Sequence, residues 1–243
     1  MANALPTARI QKDLRLPAMA KRFKVPEYAR MHPFILLLLP MVLATAWGEV
    51  SAPLPEESTQ AAIESVLADF GEKKNDEALA KLEALQKKLP DDPLVLNLIG
   101  SVYTRKKDYL AAETYFRKAV KKSPGYFPAL YNIGEILFLE KKYTEAREHF
   151  QAMRGTDTGN ELLQFKVVLC DLGLNETERA KKVMNAIKYP GNSPAWYYAQ
   201  AAYENHAGNK KKAREYVAGA KYIFGQKTAL FDETLEAAGI NLH

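Results

Sequence analysis

The sequence predicts an all-α chain in which antiparallel helix pairs stack one upon another. Three observations carry this. The stretches GSVYTRKKDYLAAETYF (100–116) and GEILFLEKKYTEAREHF (134–150) share Gly100/Gly134, Lys107/Lys141, Tyr109/Tyr143, Ala112/Ala146 and Phe116/Phe150 at a fixed offset of 34 residues. Apolar side chains recur at helical spacing, with Leu96, Ile99 and Tyr103 at i, i+3, i+7 and Ala112, Phe116 and Ala119 forming a second stripe. Pro124 follows that second stripe, where a residue without a backbone donor stops a helix. A repeat of this length is one supersecondary unit that buries its apolar face only against its neighbours, so a stack is implied.

The first element is a basic leader. Residues 1–48 carry seven Lys/Arg against Asp13 and Glu27, and so hold the whole net charge of +5. The rest of the chain balances 27 basic against 27 acidic residues, which gives no support to nucleic-acid binding by the folded part. PFILLLLPMVLATAWG (33–48) has an apolar core of about ten residues, Phe34 to Leu43, and Ala44-Thr45-Ala46 fits the small-x-small rule for cleavage. The run is well short of the ~20 residues that span a bilayer. The leader therefore reads as a cleaved export signal, with an uncleaved membrane anchor as the alternative and either Met1 or Met31 as the start. Residues 49–58 read as a linker. Cys170 is the only cysteine, so an exported form has no internal disulfide and relies on packing; its setting, VVLCDLGL, is that of a buried small hydrophobe.

Five helix pairs follow, at 59–92, 93–126, 127–160, 161–193 and 194–227. In the second pair Gly100 sits on the apolar stripe despite a helix cost of about 1 kcal/mol relative to Ala. Close approach of the partner helix at Ala112 is the expected compensation, with Lys106-Lys107-Asp108 as the turn between them. The first pair keeps Ala78, Leu82, Leu85 and Pro90 at the same offset, but its first helix is one residue out of phase. The fourth continues with Ala180, Met184 and Ile187, and its first helix is again shifted. The fifth has Trp196, Ala199 and Tyr203, then Ala213, Val217 and Ala220. GTDTGN (155–160) interrupts the series, and 228–239 reads as a capping helix over the last pair.

Leu96, Ile99, Gly100, Tyr103, Ala112, Phe116, Ala119 and Pro124 fall where the tetratricopeptide repeat has its Trp-x2-Leu-Gly-x2-Tyr, Ala-x3-Phe and Pro pattern. The next unit matches through Leu130, Ile133, Gly134, Ala146 and Phe150. These units closely resemble that family. The resemblance implies a right-handed superhelix whose first helices line a concave side that binds a protein or peptide. The side chains it places on that side are Asn97, Ser101, Arg105, Tyr131, Asn132, Glu135 and Phe138, joined in the weaker units by Lys166, Tyr197, Tyr198 and Glu204. One subclass of the family holds a terminal carboxylate with a lysine, asparagine and arginine clamp. Asn132 and Lys166 fit it, but Asn97 and Leu162 stand where lysines are needed, so tail binding of that kind is not expected.

Catalytic patterns are missing. His149, His206 and His243 lie far apart and form no zinc spacing. No Gly-x-Ser-x-Gly elbow occurs. GAKYIFGQKT (219–228) has the wrong spacing for a phosphate loop and follows a helix rather than a strand. Asn175-Glu176-Thr177 is a formal glycosylation sequon at a turn, where Asn and Thr also serve as turn and cap residues. The lysine runs fall at helix ends, where they complement the helix dipole. The reading that follows is a non-enzymatic, exported interaction scaffold without metal or cofactor, periplasmic or secreted, in envelope or secretion-complex assembly. A membrane-tethered or self-oligomerising module is the second reading.

Overall fold

The structure is a computed structural model that describes residues 56–154 and 160–242. The leader, the linker residues before Glu56, most of GTDTGN and His243 lie outside these residues. What is described is helical throughout: α1 (Glu56–Gly71), α2 (Asn75–Lys88), α3 (Pro93–Arg105), α4 (Tyr109–Lys122), α5 (Phe127–Leu139), α6 (Tyr143–Arg154), α7 (Glu161–Gly173), α8 (Thr177–Ala186), α9 (Ala195–His206), α10 (Lys210–Phe224), a 3-10 turn (Gly225–Thr228) and α11 (Ala229–Ala237). Odd and even helices pair into hairpins, and each hairpin stacks on the next to form a solenoid. The first helices α3, α5, α7, α9 and α11 begin at 93, 127, 161, 195 and 229, a spacing of 34 throughout. The sequence pattern slips by one residue in the fourth and fifth units, but these five starts do not; α1 begins 37 residues before α3, and α10 begins 33 after α8.

A recurring turn keeps this spacing. Lys73, Lys107, Lys141 and Asn175 all adopt left-handed backbone with φ near 60°, and Gly208 takes the same place in the fifth pair with φ 85°. In the second pair the Lys107 N–H reaches the Thr104 carbonyl and the Asp108 N–H reaches the Tyr103 carbonyl, both at 3.0 Å. That double closure satisfies the free carbonyls at a helix end. Asp108 then caps the next helix, its carboxylate accepting from the Ala111 N–H at 3.1 Å. Helix stop, reversal and helix start are thus packed into a few residues. Asn175 of the sequon is one of these left-handed positions.

The hairpin seam differs from expectation in one respect. A Cβ placed on Gly100 would lie 2.5 Å from Cε1 of Phe116, and one on Gly134 would lie 2.5 Å from Cε1 of Phe150. The glycines make room for the phenylalanine rings, while Ala112 and Ala146 are merely buried nearby. Both rings are almost wholly buried, so the seam has no slack.

Candidate functional site

Residues on α3, α5, α7 and α9 that point away from their own hairpin stripe were the ones expected to meet a partner. The structure places most of them elsewhere. Asn97, Ser101, Tyr131, Asn132, Glu135, Phe138, Lys166, Tyr198 and also Glu204 are buried, and only Arg105 and Tyr197 are half-buried. The reason is geometric: Asn97, Asn132, Glu135, Lys166 and Tyr198 meet the first helix of a neighbouring repeat, while Tyr131, Phe138, Tyr197 and Glu204 pack on the second helix of their own hairpin. As they stand, the buried residues present no open surface.

The contacts form a ladder along the first helices. Arg105 of α3 donates to the Phe70 carbonyl of α1 at 2.9 Å, and its guanidinium lies 5.1 Å from the Phe70 ring centre. Asn132 of α5 donates to Oδ1 of Asn97 on α3 at 3.0 Å, and the Ser101 hydroxyl donates to the Asn97 carbonyl. The Lys166 ammonium of α7 sits 2.7 Å from each carboxylate oxygen of Glu135 on α5. It also lies over Phe138 and Tyr131, at 5.4 and 5.8 Å from the ring centres. Lys166 is wholly buried, and a charge is tolerated there only because it is paired and ringed by aromatic faces. Tyr198 of α9 donates to Asp232 of α11 at 2.6 Å, and burial together with that acceptor holds its phenol above the usual range. Tyr197 packs between Trp196, Tyr189 and Phe224.

Three polar atoms on this ladder have neither a hydrogen-bond nor an ion-pair partner: Nδ2 of Asn97, the Tyr131 hydroxyl and Oε1 of Gln164. They belong to α3, α5 and α7, three consecutive first helices. Sequence reasoning missed Gln164, which in LLQF looks like an ordinary exposed helix residue. Burial keeps the Tyr131 phenol protonated well above its ordinary range, so it remains a donor.

The remaining candidates for chemistry have ordinary surroundings. His149 donates from Nε2 to the Leu130 carbonyl at 2.7 Å, and His206 is exposed at the end of α9. Burial pushes the Cys170 thiol up to about 12, which leaves it protonated and unreactive. Arg147, buried between α6 and α7, bridges Asp171 and Glu176 at 3.2 and 2.7 Å, and so ties the third hairpin to the fourth. No group of three or more His, Cys, Asp or Glu able to hold a metal occurs among the described residues. No described helix is long and apolar enough to cross a membrane.

Comparison with known proteins agrees with this architecture. Residues 65–127 and 103–164 each match a family model of the tetratricopeptide repeat. Helices across residues 65–164 thus match the tetratricopeptide repeat, and the hairpins on either side continue the same stacked solenoid. Similar solved structures include a thermophilic tetratricopeptide-repeat protein of Thermus thermophilus, at 16% identity over 74% of this chain and 98% of that one, with a TM-score of 0.59. PilW, a widely conserved type IV pilus biogenesis factor, has 16% identity over 76% of this chain and 88% of its own, with a TM-score of 0.57. MamA from Desulfovibrio magneticus RS-1 has 19% identity over 68% of this chain and 94% of its own, with a TM-score of 0.53. At such identity the likeness is one of fold. No curated protein matches the chain.

Proposed function

We propose that this chain is an exported interaction scaffold that receives a protein or peptide segment on the inner face of its first helices. The observation that carries the reading is the trio Asn97 Nδ2, Tyr131 Oη and Gln164 Oε1, buried and unpaired on three successive repeats. An unsatisfied buried polar atom costs about 1–3 kcal/mol, so natural chains rarely keep one without use. Two donors and an acceptor in series suit a polypeptide backbone, which offers both kinds of group at every residue. The three groups are closed off in the free chain, and the partner segment reaches them by inserting between the first helices. The leader, with its apolar run and small-residue site, supports a setting outside the cytoplasm, and a role in envelope assembly accords with the likeness to PilW.

Photo-crosslinking tests this directly. A photoreactive residue at Arg105, the half-buried position among the inner candidates, is expected to capture a partner in cells. The same residue at Leu110 or Tyr222, which are 79% and 93% exposed on second helices, is not. Capture only from the outer positions would sink the inner-face reading. N-terminal sequencing of the purified protein checks export, for which a mature start beyond the small-residue site is expected.

A further inference from the structure

α11 begins 34 residues after α9 and takes the place of the first helix of a sixth repeat, with no second helix following among the described residues. The tail folds back instead, and Ile240 and Leu242 close a small recess with Val217, Lys221, Asp232 and Leu235. α11 also reaches beyond its nearest neighbour. The Phe231 ring lies 5.3 Å from Tyr198 on α9 and 5.4 Å from Phe165 on α7, centre to centre, so it touches two repeats at once. Asp232 accepts from the Tyr198 hydroxyl at 2.6 Å and lies 3.2 Å from the Lys221 ammonium. Glu233, the next residue, is near enough to Arg105 on α3 for each charge to act on the other. α3 and α11 are first helices four repeats apart.

We propose that α11 is a displaceable internal occupant of the inner face, and that the partner segment which replaces it is a short amphipathic helix with the same anchors. Those anchors are an aromatic residue, an acid directly after it, and a leucine one turn from the aromatic, matching Phe231, Asp232 and Leu235. This rests on the inner-face reading and adds to it the chemistry of the partner and a means of control. A nine-residue helix has little stability of its own, so α11 is helical because the socket holds it. The 3-10 turn at 225–228, entered through Gly225 at φ 55°, gives it a joint. Its acids oppose one another: burial, Glu236 and Asp232 all raise Glu233, while Arg105 pulls it down. A partner helix with the same anchors and a neutral residue in place of Glu233 meets no such opposition.

The test uses a fluorescent peptide of residues 226–242 and the full chain, read by anisotropy. Wild type, whose socket is filled, is expected to bind the peptide weakly. Phe231→Ala, whose own helix has lost its anchor, is expected to bind at least ten-fold more tightly. Asp232→Asn weakens the helix without opening a cavity and is expected to give an increase of several-fold. A peptide carrying both substitutions is expected to bind none of the chains. The proposal is overturned if Asp232→Asn binds no better than wild type while Phe231→Ala either unfolds or shows no increase. Such a failure leaves the inner-face reading standing, since Asn97, Tyr131 and Gln164 lie outside this socket and crosslinking reports on them separately.

Discussion

Gly100→Ala and Gly219→Ala are the same chemical change in two helix interiors, and the structure assigns them opposite signs. In a helix interior, replacing Gly with Ala gains about 1 kcal/mol of propensity. At Gly219 the nearest atom to a new Cβ is Cε1 of Tyr197 at 3.5 Å, an ordinary contact, so the gain is kept. At Gly100 the new Cβ would stand 2.5, 2.7 and 3.0 Å from three atoms of the Phe116 ring. That ring is 1% exposed and has nowhere to turn, so overpacking near the upper end of its ~1–3 kcal/mol range applies. Net destabilisation of about 2 kcal/mol is expected. In a chain of this size that lowers the melting temperature by roughly 4–8 °C, against a rise of about 2–4 °C for Gly219→Ala. Urea and thermal melts followed by far-UV circular dichroism read both. Gly100→Ala/Phe116→Leu should lose at least ~1 kcal/mol less than the two single changes combined, since the smaller side chain clears the space. A Gly100→Ala protein as stable as Gly219→Ala would refute the glycine-under-ring account of the seam.

Other consequences are open to the same melts. Lys107→Gly or Lys141→Gly relieves a left-handed backbone that costs an L-residue about 1–2 kcal/mol, and after the entropy of glycine a gain of about 0.5–1 kcal/mol is expected. Lys166→Met strands Glu135 and should cost about 3–5 kcal/mol, whereas Lys166→Met/Glu135→Leu should cost far less; equal losses would mean that the pair matters only as packing volume. Glu233, whose carboxyl burial raises to about 7 from an ordinary 4.5, holds its proton in the folded state across that interval. Its contribution is therefore full below about pH 4.5 and lost as pH rises through about 7, so the stability difference between wild type and Glu233→Gln should change across that window and level off outside it.

The scaffold was legible in the sequence because its determinants are local and repeated. Ala112, Phe116 and Ala119 mark a helix face by spacing alone, and Pro124 marks its end. The left-handed turns were less visible. Gly208 and Asn175 are residues such a turn favours, but lysines at 73, 107 and 141 give no hint of positive φ. The glycine–phenylalanine contact was hidden for a different reason: helical spacing names the residues on a seam but not which of them meet across it. The inner face was misjudged through the same gap. Tyr131 and Lys166 lie off their own hairpin stripes, which reads as exposure when one hairpin is considered alone. The partner of Lys166 comes from another repeat, Glu135 31 residues away, and Tyr131 lies between Phe150 of its own hairpin and Lys166 of the next. Phe231, which reaches past α9 to α7, depends on curvature that no single repeat encodes.

Whether the unpaired inner groups are held for a partner decides what the inner face does. Tyr131→Phe combined with Gln164→Met removes two of them while keeping side-chain volume. The double variant should be at least as stable as wild type, since two buried unpaired atoms are gone, and should capture its partner at least ten-fold less well in crosslinking and pull-down from the native compartment. Undiminished capture by a folded double variant would contradict the claim that the inner face binds.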